Sequence, residues 1–235
     1  MAGRYKKDRK LFSHIMPKSA VAESFRTLRT NIAFSSPAGR NRTILITSPI
    51  PEDGKSTVVS NLGVVLAQAQ SRVLIVDCDL RKPVMHSCFN LDRDSGLTNV
   101  LARDLDPSDV VSPTEVAGLY VIPSGPIPPN PSELLGSAKM AGFLDRMAEQ
   151  YDVVLLDAPP VIAVTDAALL APLVDRVLLV LKAGSSRIEM ARDARDQLVK
   201  AKAKSIGVVL NEARLNGGSG YYYYYGGEDE KRVVN

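Results

Sequence analysis

The sequence predicts a doubly wound α/β domain with a mostly parallel sheet. Short, continuously apolar runs are bounded by turn residues, amphipathic stretches of helical length separate them, and several runs end in glycine-rich or acidic turns. Continuous apolar runs mark strands buried on both faces, and intervening helices supply the cover.

The elements follow in chain order. Segment 1–10 carries Arg4, Lys6, Lys7, Arg9 and Lys10 against Asp8 alone, a basic arm that reads as solvated chain or as a contact for anionic lipid or an acidic partner. Segment 19–34 reads as a separate helix. The run 43–47 (TILIT) is a short β-branched strand, and 56–70 is a helix with Val59, Leu62, Val65 and Leu66 on one stripe. Strands follow at 72–76 (RVLIV) and 119–122, the latter closed by Pro123 and Gly125. The loop 123–131 (PSGPIPPNP) is stiff, and 132–150 reads as one amphipathic helix. Strands at 153–156 (VVLL), 177–181 (VLLVL) and 206–210 (IGVVL) complete the sheet, with a helix over 186–202 between the last two. Lys200, Lys202 and Lys204 form a basic cluster, a solvated helix end or a seat for an acidic segment. The predicted organisation is a basic arm and helix over 1–39, the α/β domain over 40–215 and a flexible tail over 216–235.

Bulk properties bound the function. The chain has 235 residues, 45% of them hydrophobic, and a net charge of +3 from 29 basic and 26 acidic residues. That balance argues against a nucleic-acid partner. Cys78 and Cys88 lack metal-ligand spacing and suggest no disulfide framework, which fits a reducing cytoplasm. No run approaches the ~18 uninterrupted apolar residues that a membrane helix needs, and the start lacks a signal-peptide apolar core. Work at a membrane would then depend on a partner.

Chemistry concentrates at the predicted strand ends. Gly54, Lys55, Ser56 and Thr57 follow a strand and open a helix, the context of a phosphate-binding loop. Free backbone N–H groups and the helix dipole converge on an anion there. Lys55 would reach the β- and γ-phosphates, and the Ser56 hydroxyl would ligate Mg²⁺. Pro49 occupies the position where the usual pattern begins with glycine. Two other strands run into acids, one into Asp77 and Asp79, the other into Asp157. Ligands of open α/β sheets sit beyond the carboxyl ends of the strands, so these acids should share a crevice with Lys55. Asp77 and Asp79, two apart on extended chain, should point to the same side. Carboxylates beside a phosphate need a reason, and a hard, oxygen-seeking Mg²⁺ plus a base for a hydroxyl proton supply it. The plainer reading is that each aspartate caps the next helix.

Together these segments resemble the bacterial tyrosine kinases of capsule and exopolysaccharide synthesis. SPIPEDGKST is similar to their Walker A loop, VLIVDCDLRKP to their family-specific D-x-D-x-R strand, and YDVVLLDAPPV to their Walker B. Glu23, Arg26 and Arg29 in AESFRTLRTNI match their E-x-x-R-x-x-R ring helix, and Tyr221, Tyr222, Tyr223, Tyr224 and Tyr225 resemble their autophosphorylated tail. The resemblance implies a P-loop NTPase fold that binds ATP and Mg²⁺ and phosphorylates tyrosine. It implies that Asp53, Gly54, Lys55, Ser56 and Thr57 hold nucleotide, that Ser56, Asp79 and Asp157 support the metal, and that Asn211 lies near the adenine. It makes Asp77 the base, exchangeable with Asp79, and gives Arg81 the incoming tail or its phosphates. It also implies a homo-oligomeric ring, a membrane-embedded activator and a phosphotyrosine phosphatase. Glu52 stands where the family commonly has glycine, and predicts a slightly altered loop with side chains turned outward.

The tail supplies mechanism. Phosphates on five tyrosines would add about −7.5 to −10 of charge, enough to reverse the net charge and loosen ring contacts. A competing reading is a positioning or partition ATPase of the deviant Walker A type. That class carries a lysine near the start of its loop, where this chain has Ser48, Pro49 and Ile50. A third reading, a scaffold that holds ATP unchanged, fits poorly with Lys55, Asp77, Asp79 and Asp157 all present.

Overall fold

The computed structural model describes residues 11–35 and 42–213, so the tyrosine cluster lies outside the described residues. A short helix α1 (Phe12–Ile15) precedes α2 (Ala20–Phe34). Then come β1 (Thr43–Thr47), α3 (Lys55–Gln68), β2 (Val73–Asp77), α4 (Met85–Cys88), α5 (Leu97–Arg103), β3 (Ser112–Pro113) and β4 (Leu119–Ile122). The second half runs α6 (Pro131–Leu135), α7 (Ala138–Gln150), β5 (Val153–Asp157), α8 (Asp166–Leu170), β6 (Arg176–Lys182), α9 (Ile188–Lys200) and β7 (Ile206–Asn211). The sheet order is β3-β4-β2-β5-β1-β6-β7, and only the β3–β4 pairing is antiparallel.

Strand alternation divides the core in two. Ile44 and Ile46 of β1 join Ile75, Leu178 and the α3 residues Val59 and Leu62 on one face. Leu45 joins Leu74, Leu156 and Val177 on the other, beneath Phe143, Leu144 and Met147 of α7 and Leu198 of α9. Full burial of each such side chain stabilises the fold by about 1.5–3 kcal/mol.

Helix α2 is seated on this core and does not stand apart. Ser19 caps it by accepting from the Ala22 N–H. Phe25 and Ile32, seven residues apart on one stripe, pack into the α3 layer. The reason lies in α3, whose Val58, Val59, Leu62, Val64, Val65 and Ala67 leave it apolar on nearly all sides. A helix of that kind needs cover on its outer face as well as its sheet face. The expected single helix over 132–150 is two. The Gly136 N–H closes the first, and the Ser137 hydroxyl accepts from Met140 N–H to open the second. A serine three residues ahead of the N–H that donates to it starts a helix more readily than it continues one.

Sheet order positions the chemistry. β5 lies between β2 and β1, and its last residue, Asp157, is level with Asp77 on one side and Ile46 on the other. The phosphate loop leaves β1 one residue beyond Ile46, so both acids border it.

Candidate active site

The loop between β1 and α3 is built on unusual backbone angles. Gly54 has φ +89°, and a Cβ there would sit 2.0 Å from Asn211 Nδ2. Glu52 has φ +70° and is exposed. Glu52 itself takes the left-handed conformation that a glycine would adopt freely, and its side chain lies at the surface, as expected of an outward-turned carboxylate. Left-handed backbone strains an ordinary side chain by about 1–2 kcal/mol.

Lys55 is the hub of the site. Its Nζ donates to Asp79 Oδ2 at 3.0 Å and to Asp157 Oδ1 at 3.3 Å. Ser56 Oγ donates to Asp157 Oδ2 at 2.7 Å. Burial works against the ammonium, but the Asp157 and Asp79 charges outweigh it and hold the lysine pKa above its ordinary value. Burial raises the Asp157 carboxyl, opposed by Lys55 and by the Ser56 hydrogen bond.

Asp77 and Asp79 do not point the same way. β2 ends at Asp77, so the two-residue rule for extended chain stops applying there. Asp77 is fully buried. Its Oδ2 accepts the Val84 and Met85 N–H groups, both at 2.9 Å, and its Oδ1 accepts from Asp79 N–H at 3.3 Å. Burial and the neighbouring Asp157 charge push its pKa up to about 7, against the pull of those backbone donors. Asp79 instead faces Lys55, and its second oxygen accepts the Lys82 N–H at 2.9 Å.

Three other expected site residues are engaged elsewhere. The Arg81 guanidinium forms a bidentate pair with Asp166 at 2.9 and 3.0 Å and donates to Ser132 Oγ. It therefore points to the α6–α8 side, where the Asp166 carboxylate is fully buried and demands a cation. The Asp53 carboxylate accepts from Ser186 Oγ at 2.8 Å and faces the β6–α9 loop, leaving its backbone as its means of touching a phosphate. Asn211 Nδ2 donates to the Asp53 carbonyl at 3.0 Å, so Asn211 straps the loop from the end of β7. Sequence reasoning missed Asp166 and Ser186. A lone acid in the apolar stretch VTDAALLA was the available signal for the first, while nothing local marked the second.

The family assignment rests on sequence as well as shape. The AAA domain family matches residues 52–192. The tyrosine-protein kinase YwqD of Bacillus subtilis (strain 168) is 41% identical over 205 residues, which cover 87% of this chain and 86% of that protein. This chain belongs to the bacterial tyrosine kinases. The kinase domain of Escherichia coli tyrosine kinase ETK matches this tyrosine-kinase chain with a TM-score of 0.85 at 32% identity, over 94% of this chain and 86% of that one. The cell division ATPase MinD of Pyrococcus furiosus matches with a TM-score of 0.61 at 27% identity, over 73% and 72% of the two chains. Tyrosine kinases of this family and MinD thus share the P-loop NTPase architecture.

In this tyrosine kinase, the lysine, the serine and the acids of the three motifs meet around one loop. Arg26 pairs with Glu23 at 2.8 Å within α2, and Arg29 donates to the Val65 carbonyl at 3.0 Å. Among the described residues, no helix is long and apolar enough to cross a membrane. Nor do three His, Cys, Asp or Glu side chains among them gather closely enough to hold a metal alone. Mg²⁺ suits the site nonetheless, because it binds through one or two carboxylates and takes its remaining oxygens from phosphate and water. Ser56 and Asp157 present such oxygens side by side.

Proposed function

We propose that this chain transfers the γ-phosphoryl group of ATP to tyrosine hydroxyls, with Tyr221, Tyr222, Tyr223, Tyr224 and Tyr225 of its own kind among the acceptors. The observation that carries the reading is Lys55 held between Asp79 and Asp157, with Asp77 adjoining. A hydrolytic P-loop site needs one such acid for its metal. The added acids suit transfer to a phenol, whose proton must be received.

The residues divide the work as follows. The backbone of the loop over 53–57 cradles the phosphates, opening at the amino end of α3. Lys55 moves from its carboxylate partners to the β- and γ-phosphates. Ser56 and Asp157 would hold Mg²⁺, which when bound would supply charge neutralisation to the transferring phosphate. When Lys55 leaves, the Asp79 oxygen that it covered is exposed to the crevice. That geometry favours the exchange of roles, with Asp79 receiving the hydroxyl proton and Asp77 fixing the loop over 78–85 through its backbone hydrogen bonds. Arg81 acts through Asp166 to anchor the far side of that loop. Asn211 orders the phosphate loop and lies where the base of the nucleotide would approach it.

The same reading puts the chain in the cytoplasm as part of a homo-oligomeric ring formed through Glu23, Arg26 and Arg29. A membrane-embedded activator recruits it, a phosphatase reverses the modification, and the cycle controls capsule or exopolysaccharide synthesis. The organisation into arm and helix, P-loop kinase domain and tyrosine tail serves that cycle. The fold shared with MinD keeps a nucleotide-gated positioning ATPase as the second reading. Mass mapping after incubation with Mg·ATP decides between them. Phosphate on the tail tyrosines of the native chain, absent from a Lys55→Met variant, supports the kinase. Inorganic phosphate release with an unmodified tail supports the positioning ATPase.

A further inference from the structure

Asp53 carries a negative charge into the loop that has to bind phosphate. Its carboxylate is buried, on the residue just ahead of Gly54. No lysine or arginine among the described residues pairs with it. A buried carboxylate beside a second anion is unfavourable unless hydrogen bonds hold it and turn it aside. The Ile50 N–H lies 3.4 Å from its Oδ2, at the long limit of a hydrogen bond, whereas the Ser186 hydroxyl donates to Oδ1 at 2.8 Å. Ser186 is itself fixed. Gly184, with φ +71°, turns the chain after β6, so that the Lys182 N–H donates to Ser186 Oγ at 2.8 Å and the Lys182 carbonyl accepts the Ser186 N–H at 2.9 Å. With its oxygen accepting from that amide, the hydroxyl keeps its proton for Asp53. Lys182 is level with Asn211 in the β6–β7 pairing, and the Asn211 amide donates to the Asp53 carbonyl at 3.0 Å. Neighbouring strand ends thus clamp one residue of the loop, by its side chain and by its backbone.

We infer that Ser186 is a positioning residue for ATP: it holds the Asp53 carboxylate against the turn between β6 and α9, so that the loop offers its backbone N–H groups to phosphate without a competing anion. The inference deepens the proposed function, since it rests on reading this loop as the phosphate site of ATP. Ser186 acts through Asp53 and touches no reacting atom. Removing its hydroxyl leaves the Asp53 carboxylate with the long Ile50 contact alone, free to swing toward the incoming phosphates. The repulsion that follows opposes substrate and transition state alike, and so weakens binding more than the chemical step. The Asn211 strap on the Asp53 carbonyl does not depend on Ser186 and keeps the loop folded.

Calorimetry of Mg·ATP binding to the full chain, with tyrosine phosphorylation kinetics on the same samples, tests this. Ser186→Ala should raise the Kd for ATP about tenfold, the usual worth of a hydrogen bond to a charged group. The KM for ATP should rise in parallel, with kcat at saturating ATP within about twofold of native. Asp53→Asn keeps the shape of the side chain and an acceptor oxygen but removes the charge. In that background the same Ser186→Ala change should cost less than about threefold, because no stray carboxylate is released. A serine that merely stiffens the loop would cost the same in both backgrounds. Native ATP affinity in Ser186→Ala overturns the inference, as does a full tenfold loss in the Asp53→Asn background or a fall in kcat with KM unchanged. Failure of the kinase reading has a different signature. A native chain that binds ATP but forms no phosphotyrosine refutes that reading alone, and the two calorimetric comparisons still decide the role of Ser186. A native chain that takes up no ATP overturns both.

Discussion

Lys55→Met is expected to damage the fold as well as the reaction. The lysine side chain is 12% exposed, and its two partners, Asp79 and Asp157, are 6% and 0% exposed. Truncating one member of a buried ion pair commonly costs about 3–5 kcal/mol, because the remaining charge is left without compensation. Here the loss falls on a site that also contains Asp77. For a chain of this size that corresponds to a melting shift of roughly 10 °C. The pH dependence follows from the direction of the carboxyl shifts. Asp77 titrates near 7 in the folded chain against 3.8 in the unfolded one, so the native state holds the extra proton across that window. Stability therefore falls as pH rises from about 4 to 7, the reverse of an ordinary paired carboxylate. Without Lys55 the Asp157 carboxyl, already raised by burial, loses the charge that opposes the shift, and a proton replaces the missing cation at low pH. Urea denaturation should show a variant deficit of about 3–5 kcal/mol at pH 8 that shrinks to less than about 2 kcal/mol at pH 5. A deficit of equal size at both pH values, or none at pH 8, would refute the reasoning.

Other outcomes follow from the same geometry. Arg81→Ala strands the buried Asp166, and after discounting the partly exposed guanidinium it should destabilise by about 2–3 kcal/mol in chemical denaturation, with Arg81→Ala, Asp166→Ala recovering part of the loss. Gly54→Ala should abolish ATP binding in calorimetry, because its φ of +89° and the Asn211 amide both oppose a Cβ. Glu52→Gly should leave stability within about 1 kcal/mol, since relief of the strained φ offsets the added freedom of the unfolded chain, while ATP binds more tightly once a carboxylate is removed. Asp79→Asn should lower phosphotyrosine formation by about 10²–10⁴-fold with nucleotide binding retained. Asp77→Asn should weaken both.

Most of the architecture was legible because the strands are buried on both faces, so TILIT, RVLIV and VLLVL declare themselves as apolar runs. The lysine and serine were legible because a local motif opens the helix that follows a strand, and the acids because they lie at or just beyond strand ends, where the topology gathers them. What escaped depends on distant pairing. Arg81 meets Asp166 across 85 positions, Asp53 meets Ser186 across 133, and Asn211 reaches Asp53 across 158. No local period encodes such partners, so Arg81 and Asp53 read as ligand contacts when their side chains serve the scaffold. The break at Gly136 and Ser137 escaped because the apolar stripe continues on both sides of it, and a cap is a matter of one hydroxyl. Helix α2 read as separate because its own polar face gives no hint that α3 is apolar on the side it covers.

The measurement closest to the centre of this account is the Mg²⁺ dependence of ATP binding to the dephosphorylated chain, compared with Ser56→Ala and Asp157→Asn. The account predicts that Mg²⁺ tightens binding to the native chain by about 10–100-fold, and that each variant loses most of that gain. Native affinity indifferent to Mg²⁺, or a full gain retained by Asp157→Asn, would contradict it.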